Sequence, residues 1–292
     1  MSRPRDTALW LLRFVWLLQP LVFVAVLDEG SHHLRSTGRV LIAVVAWAAW
    51  AAVLLAVFVP STISITVGRM VAPLLVVVVV ISALSGISGW KLAAGLGASI
   101  LAILVWFSGE VGVALAQGSA YGSEQRFPLK PPVPLFIPMI ASWLISAASA
   151  VSSVVLLANR TWIAGAVLLV IAAAATYFVG PRFHQLARRW LVIVPAGVVV
   201  HDPMMLTENA LFRSAQLAAL RLAPADTEAA DLTGGTAGVP VEIVLHKMDT
   251  VVKTGTRDDP GGTALHVLSF LVSPTRPGKA LHAAAARRLP VR

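Results

Sequence analysis

Four side chains in the stretch from residue 110 to 126 could do chemistry if they met at one surface: Glu110, Tyr121, Glu124 and Arg126. Two carboxylates, a phenol and a guanidinium converging there would suit a lipid-modifying enzyme, with groups to move a proton and to hold an anionic headgroup. Lys130 adds a second cation to the same stretch. Elsewhere the reactive side chains are dispersed. His32 and His33 are adjacent, so on a regular element they point apart, and His184, His201, His246, His266 and His282 are scattered, so no metal centre is expected. The chain has no cysteine, which excludes a disulfide scaffold, a thiol nucleophile and a cysteine-ligated metal or cluster. No G-x-S-x-G, Walker A or H-E-x-x-H pattern occurs. The glycine-rich run 234–238 lacks the strand-to-helix setting of a phosphate cradle and reads as a hinge. Asp258 and Asp259 precede Pro260 and read as solvated turn residues, and Asn159-Arg160-Thr161 fits a glycosylation pattern only formally. No cofactor is expected, and no catalysis.

The elements that must carry these residues follow from composition. Of 292 residues, 57% are apolar and 13% charged, against roughly 45–50% and 25% in soluble domains, so most of the chain has a non-aqueous solvent. Residues 1–180 hold 10 Lys/Arg and 5 Asp/Glu, whereas the last 112 residues hold 13 and 9. That asymmetry divides the chain into a membrane part, 1–181, and a water-soluble part, 182–292.

A crossing helix needs about 20 apolar residues. Six runs approach that length: 8–27, 40–59, one centred on 76–80, 92–107, 135–157 and 162–179. The third is short, so it must borrow residues 63–67 and then carry Arg69 inside the helix; five spans, with this piece re-entrant, is the alternative. With six, the Lys and Arg near the spans divide eight to four in favour of the side holding both termini, which predicts a plasma-membrane protein with cytoplasmic ends. The first run is of full length and lacks a small-residue cleavage site, so an uncleaved anchor is expected. Ser142, Ser146 and Ala150, with Ser149 and Ser153 beside them, form a small-residue stripe suited to helix packing; the alternative is a polar pathway. Arg13, early in the first span, can snorkel to the headgroups or pair with a buried acid such as Glu110. Pro20, Pro73 and Pro138 either kink their helices or mark their ends.

Residues 109–133 form the one long polar stretch of the membrane part and show no obvious regular structure, although Glu110 could extend the fourth span by two turns. Tyr121 and Phe127 offer apolar anchors, and Glu124 with Arg126 can hold a turn. The predicted topology puts this stretch on the same side as the tail. Either it docks on the tail or it is a connector whose cations obey the positive-inside rule.

The tail opens after Gly180-Pro181 with a basic helical exit from the membrane, in which Arg182, Arg188, Arg189 and Trp190 are candidate contacts to anionic headgroups. Short β-rich runs follow at 191–194 and 198–201 around a tight turn, then at 239–246 and 264–272. Residues 214–222 fit strand or helix, and 277–288 closes the chain as a helix. The tail's net charge is only +4, with no basic stripe among aromatics, so nucleic acid is not an expected partner.

The hairpin running out of a span at 189–201, the further short strands, the late strand ending in Phe270-Leu271-Val272-Ser273-Pro274 and the single closing helix resemble the bacterial pleckstrin-homology-like (PH-like) domains attached to multi-span membrane proteins. The segment Gly118-Ser119-Ala120-Tyr121-Gly122 with Arg126-Phe127-Pro128-Leu129 is similar to uncharacterised actinobacterial membrane proteins. The resemblance implies a helical membrane bundle followed by a small α+β, PH-like domain, and it implies no catalytic set. Phosphoinositide binding is not implied, because no dense Lys/Arg loop separates the first two strands. The expected function is a non-enzymatic membrane scaffold or regulator whose cytoplasmic domain, with residues 109–133, binds a protein partner or membrane lipid. A small-solute transporter or channel is the alternative, and the lipid-modifying enzyme is third.

Overall fold

The computed structural model describes residues 4–255 and 261–292. Arg3 and the turn expected around Asp258, Asp259 and Pro260 therefore lie outside the described residues. The chain divides into two compact units, one of residues 1–115 and 138–183, the other of residues 116–137 and 184–292.

The first unit is helical. It contains α1 (Pro4–Gly30), α2 (Ser36–Phe58), α3 (Thr62–Val71), α4 (Leu74–Leu84) and α5 (Gly89–Phe107), and it holds most of α7 (Phe136–Ala158) and α8 (Trp162–Ala187). Six helical segments are long and apolar enough to cross a membrane, with α3 and α4 together supplying the third as Thr62–Leu84. The third segment is divided because Pro73 has no N–H to continue α3. Arg69 does lie inside it, in the last turn of α3. Its Nε donates to the carbonyl of Trp106 at 3.3 Å, in the final turn of α5, where orphan carbonyls and the helix dipole both favour a cation. Trp106 also packs against Gly68, where an added Cβ would meet the indole at 2.0 Å, so this close approach of α3 to α5 requires glycine.

In a non-aqueous solvent a carbonyl released by proline must find a donor within the protein. Pro20 lies inside α1 and takes the intrahelical donor from the carbonyl of Trp16, which accepts instead from Nε1 of Trp50 at 3.0 Å. Trp16 returns the bond to the carbonyl of Trp50 at 3.1 Å, so two indoles tie α1 to α2. Trp143 of α7 similarly donates to the carbonyl of Met70, near the break before Pro73, at 2.9 Å. Pro138 falls in the first turn of α7, where a missing N–H costs little. The serine stripe of α7 turns its hydroxyls to its own backbone: Ser146 donates to Ser142 and Ser153 to Ala150, and both serines are buried. Arg13 lies against two rings, with its guanidinium carbon 5.0 Å from Trp10 and 5.1 Å from Phe58.

One option left by the sequence is corrected here. The fourth helix does not extend through Glu110. Ser108 is extended (φ −63°, ψ 141°), and its hydroxyl accepts from the N–H of Val111 at 3.3 Å, which ends α5 and starts a separate helix, α6 (Gly109–Gln117). The basic exit after Gly180-Pro181 is helical as expected, and it continues the sixth long helix without a break, because α8 runs through Pro181 to Ala187. Arg182 places a guanidinium bond of 2.9 Å on the carbonyl of Phe178, next to the carbonyl that Pro181 leaves unbonded.

The second unit is built on two sheets. The first has the order β1 (Gln125–Pro128), β2 (Trp190–Val194), β3 (Gly197–His201), β4 (Ala210–Arg213), antiparallel throughout. The second has the order β5 (Leu217–Leu222), β7 (Val241–Lys253), β8 (Thr263–Val272), β6 (Ala230–Asp231), in which only β6 runs parallel to its neighbour. Residues 214–222, open between strand and helix in the sequence, divide into a 3-10 turn and β5. The β2–β3 turn needs glycine at 197, which has φ 149° and where a Cβ would meet the Phe212 carbonyl at 2.1 Å. Leu191, Ile193 and Val198 from one sheet and Leu220, Ile243 and Val272 from the other are buried, and Phe212 meets Phe270 with ring centroids 4.8 Å apart. The closing helix α9 (Pro277–Ala286) buries Ala280, Ala283 and Ala284 and packs against β2 and β5, one strand of each sheet.

Candidate functional site

The segment between the fourth and fifth long helices is part of the second unit's sheet. Strand β1 pairs with β2 in the register Gln125 with Ile193, Arg126 with Val192, Phe127 with Leu191 and Pro128 with Trp190. Its alternation explains the placement: Phe127 is buried while Arg126, one residue earlier, is on the opposite face. The segment then continues to the other sheet. Leu129 donates to the carbonyl of Arg189 at 2.9 Å, Lys130 to that of Ser273 at 2.8 Å, and Thr275 to that of Pro128 at 2.8 Å. Residues 125–130 are thus bonded on one side to β2 and on the other to the chain leaving β8. Residues 109–133, which show no obvious regular structure in the sequence, contain α6, started locally by the Ser108 cap, and β1, whose donors and acceptors lie far along the chain.

The turn ahead of β1 is closed by side chains. Gln117 donates from Nε2 to the Glu124 carbonyl at 2.8 Å and accepts from the Arg126 N–H at 3.1 Å. The Glu124 carboxylate accepts from the Tyr121 N–H at 2.6 Å and from Arg126 at 2.6–2.8 Å. Arg126 in turn lies 4.5 Å from the centroid of Trp190, which stacks on His201 at 4.9 Å, and His201 meets Asn209 at 2.5 Å. This is a cross-strand column over β1, β2 and β3. The expected pairing of Glu124 with Arg126 is present, whereas Gln117 carried no signal beyond being a polar residue before a loop. Tyr121 is 88% exposed, so its ring anchors nothing within the unit. The Lys130 ammonium donates to the carbonyl of Ala237 at 2.9 Å, in the glycine-rich run. A phosphate cradle would turn its N–H groups to the ligand, whereas this run offers a carbonyl to a cation. Glu110 belongs to the first unit, while Tyr121, Glu124, Arg126 and Lys130 belong to the second.

Of the residues grouped as headgroup contacts, Arg182 and Arg188 are exposed. Arg189 and Trp190 are instead turned inward. Arg189 is 1% exposed and grips Asp202, equally buried, with two bonds of 2.7 Å from Nε and Nη2. Its Nη1 donates to the carbonyl of Lys130 at 2.7 Å. Asp202 also accepts from the N–H groups of Met204 and Met205 at 3.2 and 3.3 Å. A buried guanidinium needs such complete hydrogen bonding, and this one draws together the segment after β1, the start of β2 and the loop after β3. Trp190 is 8% exposed and donates from Nε1 to the carbonyl of Ala187 at 3.0 Å. Asp202 was not singled out in the sequence, where an Asp-Pro pair after a strand reads as an ordinary turn.

The outer face of the β7–β8 pair is exposed. Met248 and Leu268 are 67% and 51% exposed, Met248 lying in the stretch of β7 between Val244 and Asp249 where the register with β8 shifts, and Thr250 and His266, opposite each other on the two strands, are exposed and bonded to each other at 2.9 Å. Among the described residues no three His, Cys, Asp or Glu side chains form a group that could hold a metal ion. In the helical unit, a groove of about 680 Å³ is lined by α1, α2, α4 and α7; neither Glu110 nor Ser142 nor Ser146 lines it. No family model matches the chain, and no curated protein or solved structure is significantly similar to it.

Proposed function

We propose that this is a plasma-membrane scaffold or regulator with both ends in the cytoplasm, whose C-terminal unit presents the β7–β8 face to a protein partner and performs no catalysis. The observation that carries the reading is β1. By contributing one strand, the segment between two long helices makes the strand-built unit inseparable from the helices on either side of it. A partner held by the unit is then held at the membrane through two attachments, the inter-span segment and the end of α8. The order of elements, one antiparallel sheet, a second sheet and a single closing helix, supports a PH-like assignment for the unit. Met248 and Leu268 supply exposed apolar side chains, one from each strand, and an unbranched thioether adapts readily to a partner surface.

Deleting residues 190–292 would be a poor test, since it would also leave β1 without β2. Met248→Asp with Leu268→Asp leaves both sheets paired and is the better one. The double variant is expected to insert and fold as the parent does, while losing the proteins that co-purify with the parent from membranes. An unchanged set of co-purifying proteins would rule out this face.

A further inference from the structure

We infer that the groove of the helical unit is a binding site for one zwitterionic phospholipid bearing a primary ammonium, of the phosphatidylethanolamine type. The inference rests on the membrane reading above and goes beyond it by assigning a site in the first unit. The groove follows the seam of α1 and α2, and its wall is mostly apolar, with Phe23, Val24, Val45, Leu74 and Val154 on it. Its lower end is set by Trp16 and Trp50, whose reciprocal indole bonds fix the two helices there. Its upper end is the polar connection from Asp28 to Arg39, with Ser31, His33 and Ser36 also on the wall. From Trp16 to Ser31 is roughly 22 Å of helix, at 1.5 Å per residue. One leaflet with its headgroups is half of about 40–45 Å, so groove and lipid are matched in length and in the order apolar then polar.

The rim also carries the charges of a zwitterion. Asp28 and Arg39 both line it and both are exposed. Among the described residues, neither has an ion-pair partner, although Glu29 beside Asp28 is paired with Lys91. Two opposite charges on one rim that do not neutralise each other can receive a phosphate at Arg39 and an ammonium at Asp28. A purely anionic lipid would leave the carboxylate facing its headgroup unfavourably, and a second copy of the chain would have to bring an extended apolar ridge ending in a charge pair.

The test uses the full chain reconstituted in vesicles of phosphatidylethanolamine and phosphatidylglycerol, part of the former carrying a diazirine on its acyl chain. After detergent extraction, native mass spectrometry is expected to find one retained phosphatidylethanolamine per chain, and photolysis to attach it to peptides from α1 and α2. Ala46→Phe, which projects into the groove wall, should lower retention about tenfold or more, while Ala48→Phe on the same helix but outside the lining should leave it unchanged. Asp28→Asn with Arg39→Gln should remove the preference over phosphatidylglycerol. Retention indifferent to Ala46→Phe, no retained lipid, equal retention of both headgroups by the parent, or photolysis products joining two chains across α1 and α2 would each overturn the assignment. Release of the parent chain from vesicles by alkaline carbonate would overturn the membrane reading as well, whereas a chain that stays embedded without retained lipid overturns the lipid site alone.

Discussion

Arg189 and Asp202 are 13 residues apart in the chain, meet at the open end of the β2–β3 hairpin, and form the most deeply buried ion pair among the described residues. Removing one member of a buried pair strands the other charge, typically at about 3–5 kcal/mol, whereas replacing both by apolar groups is often neutral. Arg189→Met is therefore expected to loosen the second unit, seen as faster amide exchange across 125–130 and 190–201. Combining it with Asp202→Leu should restore much of the protection. If the single variant exchanges as slowly as the parent, the pair does not hold these segments together. Arg189 shows why a residue's role cannot be taken from its neighbours: Arg188 and Arg189 look alike in the sequence, yet the distant Asp202 draws only the second of them inward.

At the scale of elements, proline positions and tryptophan donors account for much of how the helical unit is held. Pro20 leaves the Trp16 carbonyl open, and Trp50 supplies the donor from the next helix. Trp50→Phe keeps the ring's bulk but removes the donor, so it should lower thermal stability in detergent by about 1–2 kcal/mol, the range of an inter-helical hydrogen bond in membranes. Trp162→Phe, at an exposed position, should change little. Equal melting of both variants would show that the reciprocal indole bonds contribute nothing to helix association. The six long apolar segments were legible from hydropathy to within a few residues at most ends. The fourth run ends where α5 does, at Phe107, under a serine cap at 108, and α8 outlasts its apolar run through the basic exit, where Arg182 bonds beside the carbonyl that Pro181 frees.

For the whole molecule, the decisive property is which side of the membrane each part occupies. The absence of cysteine makes this measurable with single substitutions at His33, Tyr121 and Thr250. In whole cells, cysteine at 33 should label with an impermeant reagent while cysteines at 121 and 250 should not. Because β1 and β2 belong to one sheet, residues 121 and 250 lie in the same unit and must report the same side. Labelling at 250 with protection at 33 would invert the orientation and move the search for partners outside the cytoplasm.

What the sequence determined by itself was everything carried by local pattern. Long apolar runs demand lipid or protein around them, two short β-branched runs around a tight turn at 190–201 mark a strand pair, and the missing cysteine removes a whole branch of chemistry. What only the tertiary structure decided was which distant segments satisfy each other. Four residues at 125–128 have too little periodicity to announce a strand, and they become one because β2, far along the chain, offers a matching row of backbone groups from Ile193 opposite Gln125 to Trp190 opposite Pro128. Backbone hydrogen bonds and buried charges are settled pairwise across the chain, and a one-dimensional pattern records each partner without recording the pair.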